Sequence, residues 1–433
     1  MYDGVLSLIK AQAKYSKAVE PTSVNKRICS DNDSIYLDLG NPDWRLVKIT
    51  SEGTSIVEHG KNTPIFFRGK NSTRISEPKL NFQGNPLDDF CNLVRLGNDP
   101  IFKIHLIQMF LAHIPTPIMF VNGEEGSAKS IRCALIKKLV DPSGQKLEEQ
   151  LGQFGRNNDD LNIHFANNYL VTFDNVSYIS AEQSDTICKA ITGSSYSKRK
   201  NYEDANEIVL KFQRKILANG IGVKIEHGDF ERRTIHYFTD RIPENEIKTL
   251  SQVDEEFKKI QPDLLGQICS ILSKAISLYP EVEKITKELP NMADFAIWGE
   301  CISIVLGFKK GKFLTDYKSR LKSNSDLLNE NNCIISFLEH VFEGKTESEI
   351  INSNGRWYGE LGRFADDENI DRKSRNFPKG ANFLRSWIER SQPLLHQHNF
   401  EVVFESNTTH KEFTKHATLM KVKRKKSQQE KLI

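Results

Sequence analysis

No apolar run in this sequence is long enough to cross a membrane without interruption. The most apolar stretch, "IHLIQMFLAHIPTPIMFV" (104–121), is broken by His105, Gln108, His113, Pro115 and Pro117, whereas a spanning helix needs about 20 apolar residues in a row. The basic-then-apolar start of a signal peptide is also missing. There is no CxxC pair. The seven cysteines (Cys29, Cys91, Cys133, Cys188, Cys269, Cys301 and Cys333) are scattered and odd in number, which argues against a disulfide framework or a structural zinc site and makes a reducing cytoplasm the expected compartment. "HQH" at 396–398 has no acidic or thiol neighbour and reads as surface histidines rather than a metal site. Net charge is nearly absent: 60 basic residues against 57 acidic ones leave +3, so any nucleic-acid contact has to come from local patches. No internal repeat is visible, and the one biased segment is the basic tail "KVKRKK" (421–426).

What is present suits a folded protein of several domains. At 433 residues the chain exceeds one ordinary core, and 38% hydrophobic residues is too apolar for disorder. Four short alternating runs between 34 and 68, "SIYLDLG", "RLVKITS", "TSIVEH" and "TPIFFRG", predict a small antiparallel sheet in a β-rich region, 1–85. From 86 to 245, after helical spacing broken at "GNDP", short apolar strands ("PIMFV", "YLVTF", "FQRKILAN", "RTIHYF") alternate with helices, which predicts an α/β core with a mostly parallel sheet covered on both faces. Residues 246–330 read as helices, and 331–433 as helices followed by two strand-like segments, "FEVVF" and "ATLMKV".

"VNGEEGSAKS" (121–130) is close to the phosphate-binding loop (P-loop) pattern G-x-x-x-x-G-K-[ST]. Gly123, Lys129 and Ser130 are in register, and Ala128 stands where the last glycine belongs. In such a loop, backbone N–H groups and a helix start surround phosphate oxygens, the lysine reaches the β- and γ-phosphates, and the hydroxyl ligates Mg2+. Gly123, Glu124, Glu125, Gly126, Ser127, Ala128, Lys129, Ser130 and Ile131 are the candidate ATP-binding residues. The alanine matters only at positive φ or where its Cβ meets phosphate.

Asp174 ends the apolar run of "NYLVTFDN" 45 residues after Lys129. It is either a carboxylate for the Mg2+ shell, beside Ser130, or the first half of an Asp-Asn turn. Asn175 follows where many such ATPases carry glutamate. An amide orients water but cannot accept its proton, which leaves Glu124, Glu125 and Glu182 as candidate bases. Asn219, at a strand tip in "KILANG", could position water or simply make an Asn-Gly turn. Arg232 and Arg233, read at a strand start, are candidates for an arginine finger, a cation that stabilises charge on a neighbour's transferring phosphoryl. Lys198, Arg199 and Lys200 precede Tyr202 in what reads as an exposed hairpin, a combination that suits single-stranded nucleic acid but is also an ordinary solvated charge run.

In order, "GEEGSAKS…LVDP", "FDNVS", "SDTICKAITG", "LANGI", "GDFERR" and "LPNMADFAIWGE" resemble the AAA+ ATPase region of phage- and plasmid-type replication proteins, which are superfamily 3-like DNA helicases. The resemblance covers roughly 34–400. It implies an AAA+ P-loop core with a helical lid and a C-terminal winged-helix-like domain, assembled as a ring, usually a hexamer, that hydrolyses ATP with Mg2+ at subunit interfaces. It also implies DNA as partner, single-stranded in the channel or duplex at the winged helix, and primase or other replication proteins as further candidates. On this resemblance Asp174 and Asn175 are the Walker B pair, Asn219 the sensor asparagine, Arg233 the finger, 194–212 the channel hairpin, and Ala128 a tolerated variant. Two departures stand out. The family's "LPRMADF" arginine is Asn291 here, and the sequence as given has no room for a primase-polymerase domain, so primer synthesis is not expected. A weakly hydrolysing ATP-binding switch that loads replication partners is the alternative.

Overall fold

A computed structural model of the chain describes residues 23–96, 99–123, 126–155, 157–199, 207–225, 228–239, 241–330, 333–343, 349–368, 370, 372, 377–385, 387–388, 395, 400–407, 413 and 417–424. It divides into two compact units, one reaching residue 321 and one starting at residue 322.

The first unit opens with four antiparallel strands, β2 (Ile28–Ser30), β3 (Ser34–Asp38), β4 (Arg45–Thr50) and β5 (Gly53–Glu58), paired in that order. Their alternation buries Ile35, Leu37, Val47 and Ile49 on one face. "TPIFFRG" does not supply the fourth strand. Only β6 (Ile65–Phe66) forms there, parallel to β1 (Val24–Asn25), and β2 takes the edge instead. This sheet shares one continuous apolar core with everything that follows up to Tyr317.

Two helices, Pro86–Val94 and Pro100–Gln108, each begin on proline, whose fixed φ suits a first helical position. The central sheet contains β7 (Ile118–Gly123), β8 (Gly152–Gln153), β9 (Leu170–Ile179), β12 (Lys215–Ile225) and β13 (Thr234–Thr239). Its order is β13-β7-β12-β9-β8 and every pairing is parallel. The strands are apolar on both faces because helices cover them: Ile118 to Val121 and Leu170 to Phe173 are all buried. An antiparallel hairpin of β10 (Ser194–Arg199) and β11 (Glu207–Phe212) precedes β12.

Helices Leu250–Ile285 and Ala293–Val305 follow, and the helix Lys312–Glu330 begins in this unit. Pro262 lies inside the long helix, and its carbonyl accepts the Lys79 N–H at 2.8 Å. The approach of that segment requires Gly266, because a Cβ there would stand 2.0 Å from the Lys79 carbonyl oxygen. No helix among the described residues is long and apolar enough to cross a membrane.

The second unit holds helices Cys333–Phe342 and Asn354–Asp367, and strands β14 (Glu349–Ser353), β15 (Phe400–Ser406) and β16 (Thr418–Arg424). The sheet is antiparallel with order β14-β16-β15. It has three strands where two were expected, because "EIINS" pairs along β16. Trp357 is fully buried and donates its indole N–H to the Met420 carbonyl at 2.8 Å, fixing helix to sheet. A three-stranded sheet packed on helices is consistent with a winged-helix-like element.

Candidate nucleotide-binding site

Ser130, Asp174 and Asn219 meet beside the carboxyl end of β7, on the side where open α/β sheets bind ligands; Asp174 and Asn219 are not strand tips, because β9 runs on to Ile179 and β12 to Ile225 past a bulge. β7 runs into 121–130, and the helix Lys129–Val140 begins at the loop's end. Lys129 is only 8% exposed. Its Nζ donates to the Gly123 carbonyl at 2.8 Å and reaches the Ser127 hydroxyl at 3.5 Å. It is therefore folded back over the loop, where phosphate oxygens would replace these partners. Glu124 and Glu125 lie outside the described residues, and Ile131 is half-buried in the first helical turn.

Ser130 donates its hydroxyl to Asp174 Oδ1 at 2.7 Å. Asn219 Nδ2 donates to the same oxygen at 2.7 Å, while Asn219 Oδ1 accepts the Asn175 N–H at 3.1 Å. The cause is a β-bulge. Ala218 pairs with Phe173 and Gly220 with Val176, so Asp174 and Asn175 together oppose Asn219 alone. A bulge re-aims side chains, and here it accompanies the turn of Asp174 toward Ser130. The extra residue, Asn175, takes φ 51°. Asparagine tolerates this left-handed conformation, whereas an ordinary side chain such as glutamate is strained in it. Asn175 is thus explained by backbone geometry.

Ala128 also has positive φ, 54°, so its methyl group is not free of cost. Left-handed backbone costs an L-residue roughly 1–2 kcal/mol, partly offset in a glycine variant by the more flexible unfolded chain, about 0.4–1 kcal/mol. Ala128→Gly should therefore raise stability modestly, by up to about 1.5 kcal/mol, seen as a higher urea midpoint; a lower midpoint would mean that the alanine makes a compensating contact.

Around this centre, burial pushes the Cys133 thiol up to about 12, with Asn219 hydrogen-bonding beside it; it is a neutral packing group. Glu182 is held elsewhere, accepting from Asn158 Nδ2 at 2.7 Å, which weakens its case as a base. Asn122, just before the loop, contacts His236 Nδ1 at 2.8 Å, and His236 Nε2 contacts Glu231 at 2.7 Å. This polar link to the arginine segment had no signal in the sequence.

Arg232 closes a short helix, Gly228–Arg232, rather than opening a strand. Arg232 is exposed, while Arg233 is half-buried with its Nε on Asp229 at 3.1 Å. Thr234 pairs with Ile118 and Thr239 with Gly123, which puts Arg233 at the opposite end of the strands from the loop, about 20 Å away at 3.3 Å per residue. Neither arginine is placed to serve its own loop. Lys198 and Arg199 lie on β10 opposite Ile208 and Glu207; Lys200 is outside the described residues, as is "HQH". No group of three or more metal-ligating side chains occurs among the described residues. Ser130 and Asp174 nevertheless offer the hard oxygen donors Mg2+ takes, and such an ion is commonly held by one or two protein groups plus substrate phosphates and water.

Residues 87–326 match the family described as actinomycete integrative conjugative element replication protein, and residues 332–430 match the one described as AICE RepA C-terminal domain. No curated protein matches the chain. A solved structure titled "SCCmec type IV Cch - active helicase" overlays with a TM-score of 0.41 at 10% identity, covering 97% of this chain and 83% of that one. The NrS-1 C terminal region gives 0.35 at 12% identity over 89% and 95%. A JCV helicase gives 0.28 at 14% identity over 55% and 65%.

Proposed function

The chain belongs to the replication proteins of actinomycete integrative conjugative elements, and from that premise we propose that it is an ATP-hydrolysing DNA translocase, a replicative helicase of a mobile element. The observation that carries this reading is the meeting of Ser130, Asp174 and Asn219, with Lys129 nearby, at the β9–β12 bulge of a parallel sheet. Lys129 binds the β- and γ-phosphates, and Ser130 and Asp174 hold Mg2+. When bound, Mg2+ neutralises charge on those phosphate oxygens. Asn219 fixes Asp174 and the Asn175 backbone in one arrangement, and so registers any shift of the carboxylate when nucleotide changes.

An arginine from Arg232–Arg233 acts on the neighbouring subunit, since neither can reach its own loop; this requires a ring, for which a hexamer is the natural count. The β10–β11 hairpin meets single-stranded DNA through Lys198, Arg199 and Lys200, and the second unit meets duplex through its winged-helix-like element. The four-region division at 85, 245 and 330 belongs to the same reading. Phosphate contacts make DNA binding weaken steeply with salt. Strand displacement on a forked duplex, with Lys129→Ala as control, should require ATP and Lys129; a wild type that hydrolyses ATP without ever separating strands would sink the helicase.

Asn175 favours a second reading, an ATP-dependent switch that loads replication partners and hydrolyses slowly, because an amide rather than a carboxylate follows Asp174 in the chain. Turnover with and without single-stranded DNA separates the two: a motor's rate rises with DNA, and a switch's stays near zero.

A further inference from the structure

We propose that Arg241 binds the terminal phosphate of a nucleoside triphosphate held by its own chain. The inference rests on the phosphate-loop reading above and adds a residue that neither the P-loop pattern nor the family resemblance supplies. β13 runs alongside β7 with Thr239 opposite Gly123, so the chain leaving β13 must pass the loop. The contact is close: Thr239 Oγ1 donates to the Asn122 carbonyl at 3.1 Å, and a Cβ on Gly123 would fall 2.4 Å from the same hydroxyl. Two residues on, Arg241 lies against the middle of the loop. A Cβ on Gly126, whose φ is +80°, would stand 3.8 Å from Arg241 Nε and 4.0 Å from its Cγ, its nearest neighbours among the described residues. Arg241 is exposed and has no ion pair among the described residues.

A guanidinium beside a loop of this kind is a fork of donors matched to phosphate oxygens. The lid position where the family resemblance puts an arginine is Asn291, which is exposed and uncharged, so Arg241 supplies a second cation beside Lys129. Gly126 leaves the guanidinium room to move over the loop. Because the γ-phosphate carries charge that a diphosphate does not, Arg241 separates ATP from ADP.

The test is titration of fluorescent ATP and ADP, each with Mg2+, into the full chain as wild type, Arg241→Gln, Arg241→Lys and Lys129→Ala. Arg241→Gln should weaken ATP by about 10–100-fold, the loss typical of one charged hydrogen-bonding partner, and ADP by less than about 3-fold, with Arg241→Lys in between because a point charge replaces a fork. Thermal unfolding of the exposed-site variants should match wild type. If wild type binds ATP in a Lys129-dependent way and Arg241→Gln keeps the wild-type ATP-to-ADP ratio, the Arg241 assignment falls alone. If wild type binds neither nucleotide, or Lys129→Ala binds as wild type does, the phosphate site falls and Arg241 with it.

Discussion

Asp174→Asn should lower ATP turnover about 100–1,000-fold, the range seen when one preorganised polar group is removed from an active site, while leaving the fold unchanged. The substitution is close to isosteric, and an amide oxygen can still accept from Ser130 Oγ and Asn219 Nδ2, both now 2.7 Å from Asp174 Oδ1. What disappears is the negative charge at the bulge. Asp174 is half-buried, and neither Ser130 nor Asn219, its contacts here, carries a charge to balance it. Steady-state ATPase with saturating Mg2+ measures the loss, and urea unfolding checks the fold. A variant that retains more than about a tenth of wild-type turnover would move the metal-binding role away from Asp174.

The site was legible in the sequence to the extent that it depends on strand periodicity and on the polar residues that interrupt it. Gly123 ends β7, Lys129 and Ser130 open the helix after the loop, and Asp174 and Asn219 interrupt the apolar runs of β9 and β12; a parallel sheet brings such positions together whatever the loops between them do. Backbone conformation was not legible. Nothing in the letters distinguishes an alanine at φ 54° from one in an ordinary helical turn, so the strain at Ala128 emerged only from the fold. The bulge was hidden for the same reason: its extra residue is visible only when β9 and β12 are set side by side. Asn175 therefore read as a missing proton acceptor, when left-handed backbone gives asparagine its own reason to be there.

Long-range pairing escaped too. β1, β2 and β6 are two or three residues each, too short for alternation to declare itself, and β14 pairs with β16 from about 70 positions away. Arg232 and Arg233 were assigned to a strand start because "GDFER" is too short for helical spacing to show.

Asp141 is the largest case of a residue whose weight no local pattern reveals, and its removal should cost about 3–5 kcal/mol of stability, the penalty for breaking a buried ion pair. It follows the last residue of the helix Lys129–Val140, where the sequence shows only a helix-ending "DPSG". Arg27, 4% exposed, donates Nε to Asp141 Oδ1 at 3.2 Å. Lys137, 1% exposed, donates Nζ to Asp141 Oδ2 at 2.8 Å. The N–H groups of Tyr169 and Leu170 reach the same oxygen at 2.9 and 3.0 Å. One carboxylate thus ties the N-terminal sheet, the helix that starts at Lys129 and the strand that carries Asp174. Asp141→Ala would leave two cations buried without their anion, and urea unfolding at neutral pH should show the full loss. The acid limb gives an independent check. Burial alone would push this carboxyl up, but Lys137 and Arg27 hold it down at about 2, below the roughly 3.9 of an unfolded aspartate. A depressed folded pKa stabilises above the unfolded value and stops doing so as pH falls through the folded one. The wild-type advantage over Asp141→Ala should therefore hold from neutral pH down to about 4 and shrink between about 4 and 2. An advantage below about 1 kcal/mol at neutral pH, or one that does not shrink in acid, would mean that Arg27 and Lys137 are satisfied by their carbonyl partners and that the three elements are held by apolar packing alone.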